Sequence, residues 1–235
     1  MTTFLVTGAA GGIGCELCRQ IQTAGAKAIA VCRKSSVDLD RVGEAFASAK
    51  ASPVGNRLGV QVEAGIDITA DDSVADLARR LQGITIDVLI NNAGMMERNT
   101  LARLNFDSIR HQFEVNALGA LRVTAALLPN LQAGSKIALI TSRMGSIDDN
   151  TSGGSYGYRM SKVALSMAGK SLAIDLRSRQ IPVAIIHPGL VSTAMTGYNG
   201  IPAAESVRGI LQRISDLNLA NSGTFWHANG EILPW

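Results

Sequence analysis

Short, continuously apolar runs recur along this chain, and segments with helical periodicity lie between them. Thr3–Thr7 (TFLVT), Ala28–Cys32, Leu58–Val62, Ile86–Ile90 (IDVLI), Lys136–Thr141, Ile181–Ile186 and Thr224–Trp226 read as strands. Cys15–Ala24, Val37–Lys50, Asp71–Gln82, Phe106–Leu128, Tyr156–Ser178 and Ala204–Leu217 read as helices. Asp71 or Asp72 begins its helix where a carboxylate meets the positive end of the dipole. Pro129 is expected to stop one long helix over 106–128. The strands do not alternate apolar with polar residues, so both of their faces must be covered. Such strands build a parallel sheet with helices on each side. Repeated βα units predict a doubly wound α/β fold with a sheet of about seven strands.

With 235 residues, the chain is long enough for one well-buried α/β domain over 1–235 and short for two. Apolar residues make up 46% and charged residues 17%, which excludes a disordered chain. The net charge of +3 is spread without a basic run, so no nucleic-acid partner is expected. No apolar stretch approaches the length of a membrane span, and MTTFLVTGAA lacks the basic flank of a signal peptide. The cytosol is the expected location, with no membrane partner. Cys15, Cys18 and Cys32 form no disulfide framework. Cys15-x-x-Cys18 has metal-pair spacing, but no second Cys/His pair completes a site. The two thiols read as helix packing residues, and no metal is expected.

The first strand runs into TGAAGGIG (Thr7–Gly14), which opens the first helix. Glycines there let backbone approach a pyrophosphate, and a helix N-terminus offers N–H groups and partial positive charge. Gly8, Gly11, Gly12 and Gly14 are therefore expected to hold a dinucleotide, although Gly8-x-x-x-Gly12-x-Gly14 departs from the commoner G-x-G-x-x-G. The second strand ends in Cys32, Arg33 and Lys34, where an NAD-binding chain usually has a carboxylate for the ribose. Arginine can grip a 2′-phosphate through two hydrogen bonds. Arg33 and Lys34 thus point to NADP(H).

Three further motifs follow in order: Asn91-Asn92-Ala93-Gly94 after the fourth strand, Tyr158-x-x-x-Lys162 at a helix start, and His187-Pro188-Gly189 after the sixth strand. With the glycine turn they resemble the short-chain dehydrogenase/reductase family over essentially the whole chain. Ser142–Lys162 and the ending GTFWHANGEILPW are similar to its sniffer/C-factor branch, which includes carbonyl reductases and a bacterial signalling protein. The resemblance implies a Rossmann fold and reduction of a small-molecule carbonyl compound (ketone, aldehyde or quinone) by hydride transfer from NADPH. The alternative it leaves is a dinucleotide-binding signalling protein without turnover.

Reduction of a carbonyl needs an acid near the oxygen. Residues i and i+4 share a helix face, which pairs Tyr158 with Lys162 and leaves Tyr156 well round the helix. A lysine ammonium favours phenolate and lowers a tyrosine pKa. Tyr158 is therefore the expected acid/base, and the family motif implies the same. Ser142 closes the fifth strand and is the expected carbonyl-polarising donor. Its 16-residue gap to Tyr158 departs from the family's usual spacing, and Ser146, with a gap of 12, stays an alternative. Extra residues are expected to bulge at Asn150–Gly154.

The resemblance implies that Asn116 holds a relay water to Lys162 and that Asp67 contacts adenine. It places Asn91, Ala93 and Gly94 by the adenosine ribose and Ile13 by the nicotinamide half, and sets Pro188, Gly189, Val191 and Thr193 at the carboxamide. Met95, Met96, Met144, Met195 and Tyr198 suggest an apolar, adaptable substrate pocket. His187 reads as structural and His111 as a helix-surface residue. The helix from Tyr158 is apolar nearly all round (Met160, Val163, Ala164, Leu165, Met167, Ala168, Leu172), which predicts a homo-oligomer, dimer or tetramer.

Overall fold

The expected alternation of strand and helix is what the computed structural model contains, over residues 1–47 and 60–235. The elements are β1 (Thr3–Thr7), α1 (Gly12–Thr23), β2 (Lys27–Val31), α2 (Val37–Ala47), β3 (Val60–Glu63), α3 (Asp71–Arg80), β4 (Val88–Asn91) and α4 (Phe106–Phe113). Then come α5 (Gly119–Ala126), β5 (Lys136–Ile140), α6 (Tyr156–Asp175), β6 (Val183–His187), α7 (Ala203–Asp216) and β7 (Phe225–His227). The last residues of the helix expected over 37–50, and the start of the strand expected at Leu58, lie outside the described residues.

All seven strands form one parallel sheet in the order β3-β2-β1-β4-β5-β6-β7. The continuous apolar strands are explained by two cores. Leu5, Ile29, Leu89, Ile137 and Leu139 face one layer, with Leu77 of α3, Val123 of α5 and Leu165 of α6. Their neighbours Val6, Ala28, Ala30, Val88, Ile90, Ala138 and Ile140 face the other, with Leu17 and Ile21 of α1, Leu39 of α2 and Ile210 of α7. Each fully buried Leu or Ile contributes about 1.5–3 kcal/mol, and these two layers make one doubly wound domain.

The helix expected as one piece over 106–128 is two. A π-helical turn, Glu114–Leu118, separates α4 from α5, and Pro129 sits in a short 3₁₀ turn, Leu128–Asn130. The wider turn carries Asn116, whose side chain is fully buried and bonded to another segment of chain. Periodicity cannot show this, because the backbone yields to a tertiary contact.

From β1 the chain steps outward to β2 and β3, then returns to place β4 on β1's other side. That reversal opens a crevice at the carboxyl ends of β1 and β4, where sheets of this kind take ligands.

Candidate active site

A cleft of about 760 Å³ lies over these strand ends. Its walls are the turn after β1 (Gly8, Gly11–Ile13), the end of β2 (Cys32, Arg33, Lys34), Asp67, and the turn after β4 (Asn92, Ala93, Gly94, Met95). Tyr158, Lys162, Pro188 and Thr193 close its far end. Gly8 has φ +66°, and a Cβ there would stand 2.7 Å from Cα of Ala93. A Cβ on Gly14 would reach 2.2 Å from the carbonyl oxygen of Gly8. The two strand ends therefore touch through bare backbone. Thr7 Oγ1 accepts from the N–H groups of Asn92 (3.0 Å) and Ala93 (3.1 Å), and Asn92 Nδ2 donates to the Thr7 carbonyl at 3.0 Å. Sequence reading missed this role for Thr7 and Asn92, since strand order alone makes β1 and β4 neighbours.

The cleft fits a dinucleotide. Gly11 caps α1 without a side-chain hydrogen bond, and the first turn of α1 holds no acidic residue, so its N–H groups are free for phosphate. Arg33 and Lys34 are exposed along the wall beyond Cys32, with no carboxylate at the end of β2. The Asp67 carboxylate accepts from Thr69 N–H and Oγ1, at 2.9 and 2.7 Å. These bonds hold its pKa down, with a smaller contribution from Arg33. It both caps a turn and lines the cleft.

Four expected positions stand elsewhere. Asn91 is buried and donates to Thr124 Oγ1 of α5 at 3.0 Å, because strand alternation turns it to the helix layer. Gly14 is a packing glycine behind the cleft. Val191 is buried in a bridge to Ile201. Gly189 lines a second cavity instead. His111 is exposed on α4, as expected, and also lines the cleft.

The second cavity, about 530 Å³, adjoins the first, and Tyr158 and Met195 line both. Ser142 and Met144 also line it, with Met96. Met95 lies in the larger cleft, and Tyr198 lies in neither: it is 74% exposed on a left-handed turn residue (φ 61°). Met96, Met144, Leu190 and Met195 give the second cavity the expected apolar lining, to which polar groups are added. Arg98, Arg143, Asp149, Ser152, Arg159 and Asn199 contribute to the wall, and most come from segments remote from the 190–203 loop.

Tyr158 and Lys162 lie one turn apart on α6. The Lys162 ammonium donates to the Ile140 carbonyl at 2.9 Å and stands 5.7 Å from the Tyr158 ring centre. Burial pushes the Lys162 pKa down to about 8. Burial also raises the Tyr158 phenol, and the neighbouring Ser142 hydroxyl pulls it the other way. The net direction is upward, against the lowering expected from the lysine. Ser142 also accepts from the Met144 N–H at 3.1 Å, which aims the strand end. Ser146 is buried in a turn, accepting from the Asp149 N–H at 3.1 Å, and lines neither cavity. Tyr156 is half-buried and outside both linings. The expected bulge is present: Gly153, Gly154 and Ser155 are consecutive left-handed residues (φ 62°, 62° and 47°).

Asn116 lines neither cavity. Its Oδ1 accepts from Met95 N–H at 2.8 Å, and its Nδ2 donates to Met95 O and Ser161 Oγ, each at 2.9 Å. A Cβ on Gly94 would sit 3.2 Å from Asn116 Oδ1 and 3.4 Å from Lys162 Nζ, so all three groups converge. His187 is held neutral: burial, then His227, pushes its pKa down to about 3. Cys18 is buried in α1, its thiol pushed up to about 12 by burial, as befits a packing residue. No group of three or more potential metal ligands occurs among the described residues.

Fold and cleft together define a doubly wound α/β protein with its ligand site at the switch point. The model of the short chain dehydrogenase family matches residues 2–201, and the chain belongs to that family of oxidoreductases. It is 37% identical over 242 aligned residues, the whole of both chains, to 1-hydroxy-2-glutathionyl-2-methyl-3-butene dehydrogenase of Rhodococcus sp. (strain AD45). It is 46% identical to the C-signal of Myxococcus xanthus over 154 residues, 64% of this chain and 93% of that one. The NADPH-bound carbonyl reductase from chicken fatty liver superposes with a TM-score of 0.86 at 27% identity, covering 100% of this chain and 99% of that one. Relatives of both expected kinds, a carbonyl reductase and a signal protein, are thus similar to it.

Proposed function

We propose that this chain is an NADPH-dependent carbonyl reductase. The observation that carries the reading is the position of Tyr158, in the wall shared by the dinucleotide-sized cleft and the second cavity. NADPH bound in the cleft supplies the hydride. The glycine turn and the start of α1 hold its pyrophosphate, Arg33 and Lys34 its 2′-phosphate, and Asp67 the adenine side. Pro188 and Thr193 close the nicotinamide end. The carbonyl compound occupies the second cavity, with its oxygen against Tyr158 and Ser142. Ser142 donates a hydrogen bond that polarises the carbonyl. Tyr158 gives its phenolic proton to the oxygen, and the product is the alcohol. Lys162, cationic below about pH 8, favours phenolate once the proton has left. Asn116 fixes the backbone at Met95 beside Lys162, and a water there would return the proton.

The likeness to the chicken reductase and its NADPH supports this reading. A second one, a dinucleotide-binding signal protein without turnover, is favoured by the 46% identity to the C-signal. The intact Ser142, Tyr158 and Lys162 group argues for chemistry, since binding alone needs no buried phenol beside a buried amine. A screen of NADPH oxidation against aldehydes, ketones and quinones decides. Turnover supports the reductase; tight NADPH binding with no turnover supports the signal protein. The proposed location is the cytosol. No helix among the described residues is long and apolar enough to cross a membrane.

A further inference from the structure

The second cavity carries more positive charge than an uncharged carbonyl compound calls for. Its lining brings three guanidiniums, Arg98, Arg143 and Arg159, around one carboxylate, Asp149. Arg143 is matched: its Nε donates to Asp149 at 2.6 Å, and Glu231 lies 3.8 Å from its other end. Arg159 is not matched. Nε donates to Gly153 O at 3.2 Å, one terminal nitrogen to Met144 O at 3.2 Å, and the other to Ser152 Oγ at 2.8 Å. All three acceptors are neutral, and a guanidinium has five N–H groups, so two remain. Arg98 is exposed at the rim and makes no ion pair among the described residues. The left-handed run Gly153–Ser155 brings Gly153 O to Arg159. The loop therefore presents this arginine to the cavity one residue after Tyr158.

We propose that the substrate carries an oxyanion, a carboxylate or a phosphate ester, at the end remote from its carbonyl, and that Arg159 and Arg98 hold it. Two unmatched guanidiniums in a concave wall offer paired N–H donors of the geometry such groups accept. This rests on the reductase reading above. The competing account of Arg159 is a staple for the 150–155 loop, which would be indifferent to substrate charge.

The test compares 4-carboxybenzaldehyde, 4-formylphenyl phosphate and the neutral methyl 4-formylbenzoate, each with NADPH. The better of the two anions should exceed the ester in kcat/KM by about tenfold, what one charge-assisted hydrogen bond confers. Added salt should shrink that ratio. Arg98→Gln and Arg159→Gln should each lower the anion-to-ester ratio, and the preferred anion tells carboxylate from phosphate. An ester used as well as both anions, or a ratio untouched by Arg98→Gln, overturns the proposal even if Arg159→Gln fails to fold. If none of the three is reduced although NADPH binds, the reductase reading fails separately. Calorimetry of 4-carboxybenzaldehyde and 4-formylphenyl phosphate with the NADP-loaded protein then decides. An anion that binds, and binds more weakly to Arg98→Gln, supports the site; no binding of either overturns it.

Discussion

Asn116 holds both backbone polar groups of Met95: its Oδ1 accepts from the Met95 N–H and its Nδ2 donates to the Met95 carbonyl. The turn after β4 is therefore clamped to the π-helical turn between α4 and α5. Asn116→Leu should leave both Met95 groups without partners and Ser161 Oγ with its bond to the Tyr158 carbonyl alone, at a cost of about 1–3 kcal/mol. For a domain of this size, each kcal/mol lowers Tm by roughly 2–4 °C. Calorimetry showing an unchanged Tm would contradict the clamp.

Tyr158→Phe should lower kcat by about 10²–10⁴-fold while NADPH still binds, as measured by fluorescence titration. Tyr156→Phe should keep most activity, and Ser142→Ala should lose far more rate than Ser146→Ala. A dead Tyr156→Phe enzyme would place the acid on the wrong helix face.

Lys162 gives a pH signature of stability. Its folded pKa is lowered, from 10.5 to about 8, by burial. Between these values the unfolded chain binds more protons than the folded one, so this group's share of stability rises with pH. It is lost as pH falls through about 8. Without NADPH, the Tm difference between wild type and Lys162→Met should thus move in favour of wild type from pH 8 to 10. A flat difference would mean that the ammonium is solvated.

Arg33 should set cofactor preference. A charge-assisted hydrogen bond to the 2′-phosphate is worth about 1.5–3 kcal/mol, or one to two decades favouring NADPH over NADH. Arg33→Ala should erode that preference through the NADPH KM, and Cys32→Asp should go further by repelling the phosphate. Lys34 shares the load, so the single variant removes part of it. Equal use of NADH by the wild type would count against the assignment.

On α6, Leu165 and Ala173 are buried in the core, while Met160, Met167 and Ile174 are 50%, 65% and 66% exposed. These three are spaced seven apart and form one apolar stripe, which we propose is covered by a second copy of the chain. Light scattering at micromolar concentration should give a dimer or larger, and Met167→Glu should shift it toward monomer. A wild-type monomer refutes the interface.

The sheet, the glycine turn and the Tyr158–Lys162 pair were legible in the amino-acid order alone. Each of these depends on local periodicity: apolar runs, a strand-turn-helix junction, or an i,i+4 step on one helix. The tertiary structure decided whatever depends on segments distant in sequence. Asn91 and Asn92 are adjacent, yet alternation sends one to Thr124 and the other to Thr7 of a neighbouring strand. Spacing alone leaves both Ser142 and Ser146 open, 16 and 12 residues before Tyr158. Only the path of the chain after β5 puts the first beside Tyr158 and folds the second into a turn. The charge of the second cavity was invisible for the same reason. Arg98, Arg143 and Arg159 come from separate segments, and only packing over the strand ends gathers them.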